Sequence, residues 1–370
     1  MENAKKSFDV IIIGGGPAGI ATALTLSSQG ISNCIVEAAI EPTRKLGEAI
    51  PPNAKPLLKK LGMQHLVEEK KHIAYYGNKS CWGNDQLEQK EFIKEIHGHG
   101  YLLDRLYFEK QLRKRIQQSE THCLFGYKLK KVISTDKGVS ACIENNIESK
   151  ILTAKYIVDA TGRKATVSKQ LGGFKQKIDN QFAIVFKASL TIPISHQIIV
   201  EATKNGWWYM APQQTNELSL MFFTEQTMLP DKNNQIDFLQ KELERTLHIS
   251  KYTASAQINF EDLKIMPAGT SKIDKPFGKN WIAVGDAAFT FDPISSYGIT
   301  SALASGYYAG HALTSALANK EDAMLAYNYV VDSAFQIYIE KLKMQYATET
   351  RWEGSTFWKA KQMETMMNIA

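Results

Sequence analysis

Apolar and polar positions follow two periods along this chain, and the switches between them outline a mixed α/β protein. Val10–Ile13 is a run of apolar, mostly β-branched residues, the pattern of a parallel strand buried on both faces. Ile31–Val36, Ile157–Val158 and Trp281–Val284 have the same character. In LLDRLYFEKQLRKRIQQS, at 102–119, the residues Phe108, Leu112 and Ile116 recur every fourth position and predict a helix. From 181 to 225 the period falls to two. QFAIVFKASL, QIIVEAT, GWWYMAP and ELSLMFFTE, separated by turn-like stretches, predict an antiparallel sheet. Shorter strands are expected near 122–134, 139–144 and 151–158, and two more within 73–96, with turns at Gly77-Asn78 and Gly83-Asn84. The segment 41–63 holds Pro42, Pro51, Pro52 and Pro56 and reads as a loop ending in a short helix. A helix is predicted over 232–250 and another, of small residues, from Gly298. A single long helix is predicted from Asp322 to about Arg351, with Val330, Ala334, Tyr338 and Leu342 on one stripe.

The turn after the first strand carries the first chemistry. Gly14-x-Gly16-x-x-Gly19 follows Ile13 at once. The first glycine permits a tight turn, the second lets the backbone approach a pyrophosphate, and the third lets the next helix pack on the strand. Pro17 suits the first helical turn, where its missing N–H costs little. Ala18, Ala21 and Ala23 give that helix a small face. Glu37 ends the second strand about 20 residues on, placed to accept from ribose hydroxyls and to disfavour a 2′-phosphate. Strand, helix and acid in register predict a bound dinucleotide in a Rossmann-like fold.

Composition works mainly by exclusion. The chain has 370 residues, 44% hydrophobic and 22% charged, and a formal net charge of +6, as in an ordinary soluble enzyme. Basic residues at 110–115 and at Lys128, Lys130 and Lys131 read as a solvated helix face and strand edge, with an electropositive surface for an acidic protein partner as the alternative, and nothing resembles a nucleic-acid module. No apolar run approaches the ~18 residues of a membrane helix, and the start MENAKKSFDV has no apolar export region. The expected location is cytoplasmic. Cys34, Cys81, Cys123 and Cys142 form no C-x-x-C, and His97 and His99 lack a third ligand nearby, so no metal site is expected.

Two further motifs specify the dinucleotide. IVDATG at 157–162 is a strand ending in Asp-x-x-Gly, closing on Gly162. IAVGDAA at 282–288 places Gly285 and Asp286 at the end of another, followed by Pro293, Gly298 and Ile299 before a helix. Read alone, Asp286 could be a helix cap. Together with GGGPAG, the three segments resemble the FAD-dependent hydroxylases and halogenases. RKLGEAIPPNAKPLLKKLGM at 44–63, GYLLDRLYFEKQL at 100–112, DATGRKATVSKQLG at 159–172, GWWYMAPQ at 206–213 and GDAAFTFDPISSYGITSALASG at 285–306 narrow this further. Together they resemble the tryptophan-halogenase-like branch, and within it the maturation flavoproteins of the LodB and GoxB type, GoxB most of all.

That resemblance implies an α/β fold: a Rossmann-like FAD-binding domain of the flavin-hydroxylase type from 1–72, 98–172 and 264–320, and an inserted antiparallel-sheet substrate domain from 73–97 and 173–263. A C-terminal helical segment, 321–370, follows. It implies that Gly14, Gly16, Pro17, Ala18, Gly19 and Glu37 bind the ADP half of FAD. Arg44 and Glu48 would lie along the cofactor, and Arg105 would reach the pyrophosphate or ribityl chain. Val132 would offer backbone bonds to adenine. Gly162, Gly285, Asp286, Pro293, Gly298 and Ile299 would surround the ribityl chain and isoalloxazine. The implied partner is a quinoprotein oxidase precursor, of the glycine-oxidase type, whose tryptophan is modified with molecular oxygen on the way to cysteine tryptophylquinone.

Three readings follow. In the first, FAD and oxygen hydroxylate an electron-rich indole, and no catalytic side chain of fixed type is required. In the second the chain halogenates, or acts on a free indole. FDPISSYG at 291–298 resembles the Phe-x-Pro-x-Ser-x-x-Gly pattern of halogenases, and Lys55 would be the candidate relay. Against it, the Trp-x-Trp-x-Ile-Pro strand of halogenases is replaced by Trp207-Trp208-Tyr209-Met210-Ala211-Pro212. In the third, a flavoprotein fold serves only as a binding module. Trp207, Trp208, Tyr209 and Met210 are either the roof of a substrate pocket or ordinary core.

Overall fold

The computed structural model describes residues 6–92, 95–191, 195–213, 216–320 and 322–367. The first five residues of MENAKKSFDV, read above for an export signal, lie outside them.

Strand β1 (Lys6–Ile13), helix α1 (Pro17–Ser28) and strand β2 (Asn33–Glu37) make the first crossover. β1 lies inside an eight-stranded sheet, with β2 on one side and the long strand β3 (Ser149–Asp159) on the other, both parallel to it. Ile13 pairs with Val36 and with Asp159, so the glycine turn, Glu37 and the DATG segment leave the sheet at one carboxyl edge. The strand Trp281–Ala283 adds beyond β3, with Ala283 opposite Asp159, and carries Gly285-Asp286 to that same edge. Both faces of β1 are covered: Val10, Ile11 and Ile12 are fully buried, which is why they are apolar without alternation. Helix α2 (Arg105–Gln117) starts at Asp104, whose carboxylate accepts from Tyr107 N at 3.0 Å, and buries Phe108, Leu112 and Ile116.

A seven-stranded sheet is drawn from 77–91, 181–225 and 257–267. All its neighbours are antiparallel except Ile198–Thr203 with Gly77–Cys81. Strand β4 (Gly206–Gln213) lies within it. The strand Gln257–Pro267 runs through residue 264, the expected start of a nucleotide-binding piece. Ile73–Tyr75 joins a separate small sheet with Gly100–Leu102 and Ala49–Ile50.

Helix α3 (Gly298–Leu317) lies on α1, and glycines set the approach: a Cβ on Gly306 would stand 2.2 Å from Ala18 O. Helices α4 (Ala323–Ala347) and α5 (Thr356–Met367) finish the chain, α4 against α3 and α5 against α4.

The long helix expected from Asp322 to about Arg351 is α4, and Glu349 turns the chain after it by accepting from Arg351 N at 3.0 Å and Gly83 N at 2.8 Å, before α5. Three local expectations are corrected. The buried stripe of α4 is Tyr327, Val331, Phe335, Tyr338, Leu342 and Tyr346, whereas Val330 and Ala334 are exposed. The helix expected over 232–250 is split into Gln235–Glu244 and Ile249–Thr253, because the buried Glu201 carboxylate gathers the N–H groups of Leu247, His248 and Ile249 between them. Gly77 begins a strand rather than a turn. A Cβ there would meet Lys90 O at 2.4 Å, so close strand approach, not turn geometry, requires glycine.

Candidate functional site

The carboxyl edge of the first sheet forms a cradle of backbone. Gly14 adopts φ +115°, and a Cβ on it would stand 2.1 Å from Ala160 O. A Cβ on Gly19 would stand 2.0 Å from Gly14 O. These two glycines are needed by the fold itself. Gly16 is different: a Cβ there meets only Lys45 Nζ, at 3.6 Å, so its open side faces the cleft. Pro17 begins α1, Ala18 is buried beneath Gly285, and the helix presents its free N–H end at the turn. Glu37 is fixed by two backbone donors, Gly15 N at 2.6 Å and Ala39 N at 2.8 Å, which leaves lone pairs for a ribose.

The loop after β2 and the first residue of α2 bring the cations. Lys45 Nζ contacts Glu109 Oε2 at 2.8 Å, and Arg105 Nη2 contacts Glu109 Oε1 at 2.6 Å. Arg105 also donates to Leu46 O at 2.8 Å and Gly47 O at 2.7 Å. Arg105, expected on the cofactor, therefore shapes the loop, while Lys45, not singled out in the sequence, stands over Gly16. Its neighbour Arg44 is exposed. Glu48 is buried between this loop and the second sheet. Gln213 Nε2 donates to it at 3.2 Å, the Ser219 hydroxyl also bonds it, and burial raises its carboxyl above the usual range.

Opposite lies the DATG segment. Asp159 is buried and accepts from Thr161 N at 3.0 Å and Ser168 N at 2.8 Å, which folds the chain back. A Cβ on Gly162 would meet nothing within 4 Å. The Asp286 carboxylate faces the cleft, partly exposed, 3.7 Å from Arg163 Nε. Lys175 Nζ donates to the Asp286 carbonyl, and burial lowers the Lys175 amine to about 8. Gly285 N donates to Ser305 Oγ at 2.8 Å, tying this turn to α3. Asp292 Oδ1 accepts from Ile294 N at 3.0 Å and so begins the short turn Pro293–Ser295. At the start of α3, a Cβ on Gly298 would meet nothing within 4 Å, while Ile299 is buried. Val132 N is bonded to Gln170 Oε1 at 2.9 Å, so an adenine there would exchange with that side chain.

The open glycines (Gly16, Gly162 and Gly298), the helix N-termini of α1 and α3, Lys45 and the two acids Glu37 and Asp286 fit an extended dinucleotide. The diphosphate would lie at Gly16 and Lys45, a ribose at Glu37, and the ribityl chain at Asp286.

The aromatic strand divides by alternation. Trp207 stacks on Phe223 with centroids 3.9 Å apart and belongs, with Tyr209, to the core that faces the nucleotide half. Trp208 and Met210 are buried on the opposite face, with Phe186 and Phe222, in a second core away from the cleft. All four are buried. A cavity of about 500 Å³ lies elsewhere, between α3 and α4, walled by Phe289, Phe291, Ile294, Tyr308, Val330 and Tyr338. Nothing in the sequence pattern pointed to it, because its walls come from segments distant in sequence. Lys55 Nζ ends on His97 O at 2.8 Å. No group of His, Cys, Asp and Glu able to hold a metal occurs among the described residues, and no described helix is long and apolar enough to cross a membrane.

Comparison with known proteins bears on the cofactor and the class. Over 361 residues the chain is 26% identical to the putative FAD-dependent oxidoreductase LodB of Marinomonas mediterranea, covering 95% of this chain and 96% of that protein. It is 25% identical over 324 residues to a pyrrole-2-carbonyl peptidyl-carrier-protein brominase of Pseudoalteromonas luteoviolacea, covering 84% and 78%. Among solved structures, the myxobacterial chondrochloren halogenase CndH superposes with a TM-score of 0.89 at 20% identity, covering 96% of this chain and 86% of that one. The peptidyl tryptophan dihydroxylase QhpG, essential for tryptophylquinone cofactor biogenesis, superposes with a TM-score of 0.76 at 21% identity, covering 96% and 79%. Both share the fold. Residues 7–333 match the family described as FAD binding domain, and with that match over most of its length the chain belongs to this family and is an FAD-dependent oxidoreductase.

Proposed function

We propose that this chain is an FAD-dependent monooxygenase that hydroxylates a tryptophan of a partner quinoprotein oxidase precursor during cysteine tryptophylquinone biogenesis, the glycine-oxidase type being the first partner to test. The observation that carries the reading is the likeness to LodB along nearly the whole of both chains. The likeness in fold to QhpG, which by its name acts on a peptidyl tryptophan, supports it. Bound FAD would supply the redox and oxygen-activating chemistry. The chain's own contributions are orientation and the exclusion of water. Lys45 and Gly16 would hold the diphosphate, Asp286 the ribityl chain, and the α3 N-terminus would favour negative charge on the flavin. The apolar cavity between α3 and α4 is large enough for an aromatic side chain and lies behind the 291–298 turn.

The test is co-expression with an unmodified oxidase precursor and intact-mass measurement of that precursor. The expected result is added oxygen on one tryptophan, only when this chain is present. An unchanged precursor, with free tryptophan consumed instead, replaces the reading with a small-molecule monooxygenase. The halogenase reading has one observation in its favour, the FDPISSYG turn. Bromide, oxygen, reduced enzyme and tryptophan together are expected to yield no brominated product, and a bromotryptophan mass above the no-enzyme control would establish halogenation instead.

A further inference from the structure

The C-terminal helix buries a lysine where an apolar side chain would be ordinary. Lys361, on α5, is 3% exposed. Its Nζ lies 3.3 Å from Asp292 Oδ2 and 3.3 Å from Asp179 Oδ1, and 5.1 Å from the Tyr346 ring centroid. Glu225, also buried, adds to the negative field around it. Asp292 is fully buried and is held from every side. Tyr346 Oη donates to Asp292 Oδ2 at 2.8 Å, Asp292 N donates to Tyr338 Oη at 2.6 Å, and Asp292 Oδ1 starts the turn at Ile294. Tyr346 in turn accepts from Trp207 Nε1 at 3.1 Å. Asp179, at the entry to the second sheet, accepts from Gln181 N at 3.0 Å and Thr270 N at 3.1 Å. One amine thus joins the last helix, the second sheet and the turn that leads into Gly298 and Ile299.

A buried ion pair is a poor device for stability alone, since well-packed apolar residues do as well or better, while removing one partner strands the other. What it supplies is a fixed geometry. We propose that Lys361 is a positioning residue: by holding Asp292 it sets the 292–298 turn, and through that turn the N-terminus of α3, against which the flavin would rest. The helix that sequence motifs leave unassigned is thereby part of the construction of the cofactor site. This goes beyond the tryptophan reading and needs only FAD binding, so it stands or falls independently of the substrate.

The experiment uses full-length Lys361→Met, Asp292→Asn and the double variant, each stripped of FAD. The dissociation constant for added FAD is read by flavin fluorescence, well below the melting temperature of each variant, and amide hydrogen exchange is followed across 294–299 in the FAD-free proteins. Each single variant is expected to raise the dissociation constant at least tenfold and to speed exchange in that segment. The double is expected to be no worse than either single, because the two residues act as one unit. Unchanged FAD affinity and unchanged exchange in a folded Lys361→Met protein would show that the lysine only fills the core. Additive losses in the double variant would overturn the shared unit. If neither single variant folds, the double, which removes both charges together, is measured against the parent, and parental FAD affinity there overturns the proposal, as does failure of all three to fold.

Discussion

The Lys45 ammonium stands 3.6 Å from the place a Cβ on Gly16 would occupy, held there by Glu109 at 2.8 Å. A cation poised over the one cleft-facing glycine of the nucleotide turn is placed for a diphosphate. Charge-assisted hydrogen bonds contribute about 1.5–3 kcal/mol, so Lys45→Met is expected to weaken FAD binding about tenfold or more, with a weaker salt dependence than the parent. Gly16→Val and Asp286→Ala are expected to purify with little flavin. Titration of apoprotein with FAD measures the first, and the visible spectrum of the purified proteins the other two. Full flavin content in Gly16→Val would remove the diphosphate from this turn.

Gly306 is the test of the α1–α3 contact. Alanine in its place gains about 1 kcal/mol of helix propensity but drives a methyl to 2.2 Å from Ala18 O and 3.0 Å from Ala21 Cβ. Overpacking costs about 1–3 kcal/mol, so Gly306→Ala is expected to lower the melting temperature despite its propensity. Thermal unfolding of the FAD-free protein decides, and a rise would mean the helices separate at little cost.

Glu48 makes stability depend on pH. Burial raises its carboxyl above the ordinary value of 4.5 in the folded chain, so the folded state holds a proton that the unfolded chain gives up earlier. Its stabilising contribution is complete below 4.5 and is lost as pH rises through the raised folded value. Glu48→Gln, which cannot ionise, is expected to gain on the parent in melting temperature as pH increases above 4.5. A gap that stays constant with pH would mean the carboxyl is not perturbed.

Lys175 gives the opposite trend at alkaline pH. Its amine is lowered from 10.5 to about 8, chiefly by burial, with Asp286 partly offsetting that. Between those two values the unfolded chain binds the extra proton, so stability rises with pH there. Lys175→Met is expected to abolish that slope in melts run across pH 8 to 10.5. An identical slope in both proteins would assign it elsewhere.

Much of the nucleotide half was legible from local pattern. Val10–Ile13, the glycine turn and Glu37 announce themselves because a buried parallel strand must be apolar and a pyrophosphate-facing turn must lack side chains. Gly285, Asp286 and Gly298 are assigned through the resemblance to FAD-dependent hydroxylases and halogenases, since Asp286 read alone could be a helix cap. Local pattern failed where a distant group decides. Glu201 breaks the helix expected over 232–250, and it acts through side-chain bonds to backbone that no periodicity encodes. Arg105 and Lys45 show the same limit: each lies near the cleft, but Glu109 and the carbonyls of Leu46 and Gly47 decide which one faces it.

By itself, then, the sequence determined the strands, the nucleotide turn and the acids, because these follow from neighbours along the chain. Only the tertiary structure decided which face of Trp207–Met210 is turned from the cleft, where the apolar cavity opens between α3 and α4, and that Lys361 reaches Asp292 across 69 residues. Those features depend on segments far apart in sequence meeting in space, and burial and charge pairing, not periodicity, select the residues that meet.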